Sequence, residues 1–179
     1  HKCINILDVK KFPDYDILYC DPPWENRMLR WFETNAYKIA GVERRGSDIT
    51  EIFEALAKLS DSSKPLFIEY SMKGHENVVK TMSKYGHTIR SKSTHDYFMG
   101  GQNRPHMLLS FNTDIVVTNK LSDKSLISHI VTETGAKTVF DPFAGLGFTG
   151  SAVEACGANY IGYEMNPARY AKLITKLHG

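Results

Sequence analysis

A glycine-rich segment late in the chain has the residue types and spacing needed to hold a nucleoside close to the backbone. Residues 141–150 read Asp-Pro-Phe-Ala-Gly-Leu-Gly-Phe-Thr-Gly and follow a short apolar run. Gly145, Gly147 and Gly150 match the GxGxxG pattern, in which the missing Cβ atoms permit a tight turn and the close approach of a ligand. The pattern predicts a turn between a strand and a helix, which either binds a cofactor or serves only the fold.

An acidic residue downstream strengthens the cofactor interpretation. Glu164 follows the apolar run 160–163 and lies 17 residues beyond Gly147, close to the roughly 20-residue spacing at which a carboxylate reaches ribose hydroxyls. The two features predict a nucleoside site at the carboxyl ends of two neighbouring parallel strands. A dehydrogenase with a nicotinamide cofactor would share both features, but its dinucleotide-binding unit usually comes first, and here the unit comes late.

A second motif, Asp-Pro-Pro-Trp at residues 21–24, follows the apolar run 16–20. The two prolines stiffen the turn and lack N–H donors, so its carbonyl groups can accept hydrogen bonds from a ligand. Asp21 adds a carboxylate acceptor and Trp24 adds a wide aromatic face. The exocyclic amine of an extruded nucleic-acid base needs acceptors for its two N–H groups and a ring on which to stack. The motif therefore fits chemistry on a base amine, and a structural turn beside a buried tryptophan is the alternative.

Together, the two motifs resemble those of the β-group amino-methyltransferases, a circularly permuted family that includes bacterial N6-adenine DNA methyltransferases and the adenosine methyltransferases of messenger RNA. In that family a D/S-P-P-Y/F/W tetrapeptide precedes a D-P-F-x-G-x-G cofactor motif, which is the order found here. The resemblance spans nearly the whole chain and implies a Rossmann-like α/β fold with a mostly parallel sheet. It also implies S-adenosyl-L-methionine as the cofactor and methyl transfer to a base amine as the reaction.

The resemblance assigns roles to individual residues. It implies that the tetrapeptide residues Asp21, Pro22, Pro23 and Trp24 are catalytic. It places the cofactor against an early strand end, the start of a helix, the glycine-rich segment and a ribose-binding strand end. The residues expected there are Asp8, Val9, Lys124, Asp141, Phe143, Ala144, Gly145, Gly147, Glu164 and Asn166. No metal site is expected.

The tetrapeptide and the length of the chain bear on the substrate. Aspartate in first position resembles the adenine-modifying members, because N4-cytosine members more often carry serine there. Restriction-associated members insert a target-recognition region before the helix at Lys124, and this chain has no room for it. We therefore expect a single catalytic domain over residues 1–179 that methylates N6 of adenine in DNA, with a homodimer or a second subunit as further sources of recognition. The alternatives are N4-cytosine in DNA, adenosine in RNA, and a catalytically silent nucleic-acid-binding subunit.

Two basic segments without clear apolar periodicity are the candidates for nucleic-acid contact. Residues 24–47 and 91–105 are expected to be long loops, which often carry function in compact domains. In the first segment, arginines alternate with aromatic residues, which suits phosphate binding and base stacking, although a solvated basic loop has the same composition. The residues predicted to bind nucleic acid are Arg27, Arg30, Arg44, Arg45 and Arg104.

The elements that must position these motifs alternate between short apolar runs and amphipathic stretches, the pattern of an α/β domain with a mostly parallel sheet. Strands are predicted at residues 4–7, 16–20, 65–70, 86–90, 107–111, 115–118, 138–140 and 160–163. Helices are predicted at residues 50–59, 77–85, 125–134, 149–156 and 168–177.

Composition sets few further limits. A chain of 179 residues with 42% hydrophobic residues can bury the core of one domain. The net charge of +2 neither demands nor excludes a polyanionic partner. Three widely spaced cysteines indicate reduced thiols rather than a disulfide framework or a metal site. With no apolar run of membrane-spanning length, the chain is expected to act in the cytoplasm, on bacterial or phage DNA.

Overall fold

The two predicted motifs lie at the carboxyl ends of central strands in a mostly parallel sheet. The computed structural model describes residues 1–99, 102–117 and 121–179, except for the side chains of residues 97–99, 102–104 and 123. Within these residues one sheet has seven strands in the order β1-β7-β6-β2-β3-β5-β4. The strands are β1 Lys2–Cys3, β2 Ile17–Cys20, β3 Leu66–Ser71, β4 Ile89–Met99, β5 Gln102–Phe111, β6 Thr138–Asp141 and β7 Asn159–Glu164.

Helices flank this sheet. They are α1 Asn26–Ala40, α2 Ile49–Leu59, α3 His75–Lys84, α4 Asp123–Thr134, α5 Phe148–Ala155 and α6 Pro167–His178, with a 3₁₀ turn at Ile6–Asp8. None of these helices has the length and apolar character of a membrane span in the part of the chain that the structure describes. The fold class predicted from the sequence is confirmed.

The strand order of the sheet reverses between β2 and β6. Strand β2 pairs in parallel with β3 on one side and with β6 on the other, and β6 pairs in parallel with β7. The chain therefore moves outward from β2 to β3 and, later, outward from β6 to β7. In open α/β sheets, ligands bind in the crevice that such a switch point leaves at the carboxyl ends of the strands. The tetrapeptide follows β2 and the glycine-rich segment follows β6, so both motifs border this crevice.

Two hydrophobic layers cover the two faces of the sheet. Successive side chains of a strand point to opposite faces. In β3, Ile68 packs with Leu56 of α2 in one layer, while Phe67 packs with Ile130 of α4 and Val153 of α5 in the other. Strands buried on both faces are apolar along their length. This is why β2, β3 and β6 were recognisable in the sequence.

Two segments predicted to be loops are mostly regular structure, although residues 41–47 are irregular as predicted. Residues 26–40 form α1, whose apolar residues Leu29, Phe32 and Ala36 recur at helical spacing, so a helix was indicated and the prediction missed it. Residues 91–105 lie mostly in β4 and β5, which form an antiparallel pair. The inward side chains of β4 include the polar Ser93 and His95, so the strand lacks the apolar alternation by which it could have been recognised. Gly100 and Gly101 lie outside the described residues.

Two predicted strands are also wrong. Residues 4–7 run into the 3₁₀ turn at Ile6–Asp8, and the strand that pairs with β7 is the preceding Lys2–Cys3, followed by one hydrogen bond from the amide of Ile4 to the carbonyl of Glu164. Residues 115–117 are irregular, and Thr118 lies outside the described residues. Both runs are apolar because they pack on the core, which does not require pairing in a sheet. The other predicted strands, and all the predicted helices, are present with bounds shifted by a few residues, apart from the strand at residues 86–90, of which only 89–90 belong to β4.

Candidate active site

A cavity of about 410 Å³ opens at the carboxyl ends of β2, β6 and β7, within the usual size range of small-molecule sites. Its wall brings together most of the residues predicted from the two motifs. The predicted residues that line it are Asp21, Pro22, Pro23, Trp24, Phe143, Ala144, Gly145, Glu164 and Asn166. The tetrapeptide and the glycine-rich segment, more than a hundred residues apart in the chain, are thus two walls of the same cavity.

The tetrapeptide is held by an internal hydrogen bond. The indole Nε1 of Trp24 donates to Oδ1 of Asp21 over 2.8 Å. This bond fixes the aromatic ring relative to the carboxylate. A hydrogen-bond acceptor and a stacking surface therefore have a set orientation at the end of β2.

The glycine-rich turn approaches its neighbours too closely for a side chain. Gly147 has φ +79°, and a Cβ atom there would lie 2.9 Å from Cδ1 of Leu173. The turn is tied to the neighbouring strand because the amide of Ala144 donates to the carbonyl of Tyr163 over 2.8 Å. The backbone of residues 143–145 therefore forms a rigid cavity wall that leaves room for a ligand.

Asp141 supports this turn from below. It is buried, and its carboxylate accepts hydrogen bonds from the amide of Phe143 (2.8 Å) and the hydroxyl of Tyr160 (3.0 Å). Burial, with a smaller contribution from the charge of Asp21, raises the pKa of Asp141 to about 7 against the opposing effect of these bonds. Asp141 is absent from the cavity wall. It anchors the turn to β7.

Glu164 places a carboxylate on the cavity wall at the end of β7. It is buried, and Oε1 accepts a hydrogen bond from the amide of Asn166 over 2.8 Å. Burial raises its pKa, while the Asn166 amide and the nearby charge of Arg169 act in the opposite direction. Asn166 in turn caps α6, since its Oδ1 accepts from the amides of Ala168 and Arg169. The carboxylate is thus held in position at the cavity wall, where it can accept hydrogen bonds from ligand hydroxyls.

Five predicted cofactor residues do not line the cavity: Asp141 and Gly147 belong to the turn described above, and three others lie farther away. Asp8 forms an ion pair with Arg45, and both side chains are about half exposed. Val9 packs against the core. The exposed Lys124 has its Nζ 5.9 Å from the ring centroid of Phe148. The cofactor contacts of these three residues, like those of the residues on the cavity wall, stay predictions.

Other wall residues were not predicted from the sequence. Phe32 lines the cavity from α1, and Arg169 lines it from α6 with its guanidinium 4.9 Å from the Phe32 ring centroid. A signal for Arg169 existed, since a cation in the first turn of a helix that begins just after Glu164 must lie near that carboxylate. Phe32 lies at helical spacing from Leu29 and Ala36 and was missed because α1 was not recognised. Near Asp8, the residues on the wall are Asn5 and Ile6.

A buried glutamate was also missed. Glu69 of β3 lines the cavity, and its carboxylate accepts a hydrogen bond from the hydroxyl of Tyr19 and lies 3.0 Å from Nε2 of His106. The ring of His106 is nearly parallel to the indole of Trp24, at 18° and with centroids 6.2 Å apart. The signal in the sequence was a charged residue within the apolar run Leu-Phe-Ile-Glu-Tyr.

The predicted nucleic-acid residues lie mainly on and after α1. Arg27 and Arg30 are exposed on this helix, whose opposite side contributes to the cavity wall. The guanidinium of Arg44 lies 5.2 Å from the ring centroid of the exposed Tyr37. Arg45 pairs with Asp8 as described above, and the side chain of Arg104 lies outside the described residues. Among the described residues, no cluster of His, Cys, Asp and Glu could hold a metal ion.

Solved structures share this architecture. M1.HpyAVI in complex with S-adenosylmethionine superposes with a TM-score of 0.62 at 16% identity, over 92% of this chain and 88% of that one. The Thermus thermophilus protein TTHA0409, complexed with S-adenosyl-L-methionine, gives 0.65 at 14% identity, over 97% and 90%. The cytosine-N4-specific PvuII DNA methyltransferase gives 0.63 at 11% identity, over 97% and 83%. No curated protein matches the sequence.

The strand order, the crevice beside β2 and these superpositions define the fold of S-adenosylmethionine-dependent methyltransferases. The family model described as DNA methylase matches residues 30–176. The chain therefore belongs to the DNA methylase family, which confirms S-adenosyl-L-methionine as the cofactor of its family. The match begins after the tetrapeptide, so the role of residues 21–24 stays a prediction.

Proposed function

We propose that this protein transfers a methyl group from S-adenosyl-L-methionine to N6 of adenine in DNA, as a member of the β-group with an Asp-Pro-Pro-Trp tetrapeptide. One observation carries the proposal: the tetrapeptide and the glycine-rich turn line one cavity of about 410 Å³. A cofactor on the glycine-rich side and a base on the tetrapeptide side would then meet inside it. Family membership supports methyl transfer to DNA, and the position of the reacting base rests on the tetrapeptide.

The cofactor side fits a nucleoside. The turn at residues 143–145 offers backbone without bulky side chains at Gly145, and the buried Glu164 offers acceptor oxygens for ribose hydroxyls. Bound there, S-adenosyl-L-methionine supplies an electrophilic methyl group. The apolar lining from Ile6, Phe143 and Ile127 excludes water, which strengthens the polar contacts that remain.

The tetrapeptide side fits a base amine. Ring conjugation withdraws the lone pair of the amine, so the nitrogen is a poor nucleophile. The Asp21 carboxylate and the carbonyl groups of the proline turn would accept its N–H groups and direct the lone pair toward the methyl donor. The methylated amine is briefly cationic and releases a proton to Asp21 or to water. Trp24, oriented by its bond to Asp21, would stack on the base.

The DNA would lie across α1 and the segment that follows it. Arg27, Arg30 and Arg44 are exposed there, near the aromatic side chains of Trp31 and Tyr37. Such a surface binds phosphates and stacks on bases with little sequence preference. Each specified base pair needs its own base-edge contacts. We therefore expect a short or relaxed adenine context for this single catalytic domain, or a second subunit that adds recognition.

Mass spectrometry of nucleosides tests the proposal. The protein is incubated with S-adenosyl-L-methionine carrying a deuterated methyl group and, in separate reactions, with duplex DNA, single-stranded DNA and RNA. We expect labelled N6-methyladenine from DNA. Labelled N4-methylcytosine would overturn the base assignment, label confined to RNA would overturn the DNA assignment, and DNA binding without label would indicate a silent subunit.

The variant Asp21→Ala serves as the catalytic test. We expect it to abolish transfer while affinity for the cofactor stays within a few-fold, because the carboxylate addresses the base amine and not the methyl donor. Retention of most of the turnover would contradict the role given to the tetrapeptide.

A further inference from the structure

A buried polar network lies behind the tetrapeptide. It joins three strands through Tyr19 of β2, Glu69 of β3 and His106 of β5, whose exposed fractions are 1%, 4% and 0%. The hydroxyl of Tyr19 donates to Oε1 of Glu69, and Nε2 of His106 lies 3.0 Å from Oε2. Buried polar contacts of this kind add little stability compared with apolar residues of similar volume, because the polar groups lose their hydration. The network therefore calls for an explanation other than stability.

The network contacts the site at two points. Glu69 itself forms part of the cavity wall, together with Asp21 and Trp24. His106 lies nearly parallel to the indole of Trp24, at 18° and with centroids 6.2 Å apart. The hydrogen bond to Asp21 holds the edge of this indole, and the imidazole of His106 lies alongside its face. Asp21 and His106 are thus two neighbours through which the plane of Trp24 can be set.

We propose that Glu69 is a positioning residue for the target base, acting through His106, whose orientation it fixes and which in turn fixes the plane of Trp24. The inference rests on the proposed function, since it deepens the substrate side of the same cavity. Tyr19 completes the arrangement by holding the other carboxylate oxygen, so that Glu69 cannot rotate away from His106.

Replacement of the carboxylate at constant shape is the sharpest perturbation. In Glu69→Gln the side chain keeps its size, but the carboxylate beside His106 is gone. If this contact sets the plane of Trp24, we expect the KM for DNA to rise by roughly tenfold or more. The dissociation constant for S-adenosyl-L-methionine stays within about twofold, because the cofactor side contains neither residue.

A double-mutant cycle separates positioning from folding. His106→Phe keeps an aromatic ring beside Trp24 but removes the imidazole from Glu69, and the double variant removes both the imidazole and the carboxylate. Since the two residues act as one unit, the double variant should be no worse than the worse single variant. A purely structural role would instead lower the fraction of active protein, and thus kcat, without changing KM.

The control is His87→Gln. His87 is also a buried histidine, with hydrogen bonds to Ser60 and Asn112, and it lies outside the cavity wall. We expect its KM for DNA and its cofactor affinity to match those of the wild type. An equal rise in KM in this variant would show that any buried histidine gives the effect, and would overturn the inference.

Fluorescence of Trp24 provides a readout that does not depend on methyl transfer. In a Trp31→Phe background, which removes an exposed indole, Trp24 is the remaining tryptophan. We expect Glu69→Gln to increase the quenching of its emission by acrylamide. A wild type without methyl transfer would refute the proposed function alone, and the quenching would still test the positioning. Unchanged quenching, or an unchanged KM in an active enzyme, would overturn the inference.

Discussion

The buried carboxyl group of Asp141 should make the stability of this protein depend on pH in an unusual direction. Its pKa is raised from an ordinary 3.8 to about 7, chiefly by burial. The folded state therefore binds the proton more tightly than the unfolded state does. The contribution to stability is fully present below about pH 4 and is lost as the pH rises through 7.

The magnitude follows from the two pKa values. They are about three pH units apart, and each unit corresponds to about 1.4 kcal/mol. The free energy of unfolding should therefore fall by roughly 4 kcal/mol between pH 4 and pH 8 through this group alone. Asp141→Asn provides the comparison, because an amide resembles the protonated carboxyl in shape and stays neutral. The free energy of unfolding of the variant, relative to that of the wild type, should therefore rise by roughly 4 kcal/mol between pH 4 and pH 8.

Urea unfolding at half-unit pH steps measures the difference. Titration of the histidines and of the other carboxyl groups cancels when the variant is subtracted from the wild type. Asp21→Asn adds a second check, since the charge of Asp21 raises the pKa of Asp141, and its removal should move the midpoint of the difference curve to lower pH. Parallel curves for the wild type and Asp141→Asn from pH 4 to pH 8 would refute the reasoning.

Three further predictions concern the cavity and its surroundings. Gly147→Ala places a Cβ atom 2.9 Å from Leu173 at a positive φ and should lower the free energy of unfolding by about 1–3 kcal/mol, as measured with urea; a neutral result would contradict the packing described for the turn. Glu164→Gln should weaken S-adenosyl-L-methionine binding by about 1–3 kcal/mol in calorimetry, and an unchanged affinity would remove the ribose from this position. Replacing Arg44 and Arg45 by alanine should weaken DNA binding about equally for all sequences and reduce the salt slope by roughly 2, whereas a loss confined to one sequence would assign the arginines to base readout.

The glycine-rich turn and the strands that carry the motifs could be predicted from the sequence because their signals are local. The positive φ of +79° at Gly147 favours glycine whatever surrounds it. Strands buried on both faces, such as β2 and β3, are mostly apolar, with Glu69 as the charged exception in β3. The carboxylate of Glu164 at a strand end follows from spacing alone. Residue types and short distances along the chain therefore indicated the crevice and the cofactor.

Only the tertiary structure decided the side-chain contacts between residues that are distant in the sequence. Whether Asp8 faces a ligand or pairs with Arg45 depends on where the segment after α1 packs. The helix α1 buries Glu33, whose carboxylate accepts hydrogen bonds from the amides of Gly46 and Ser47, and the sequence does not record that these amides are its partners.

The contact between Glu69 and His106 is the clearest case of a contact that the sequence alone does not predict. They are 37 residues apart in the sequence and meet only because β3 and β5 pair in antiparallel register, with Ser71 opposite His106. A buried charge is tolerated where an opposite charge or a donor reaches it, and the sequence does not record which residue will do so. Local chemistry thus fixed the types of group at the two motifs, while the register of the sheet decided which buried groups orient them.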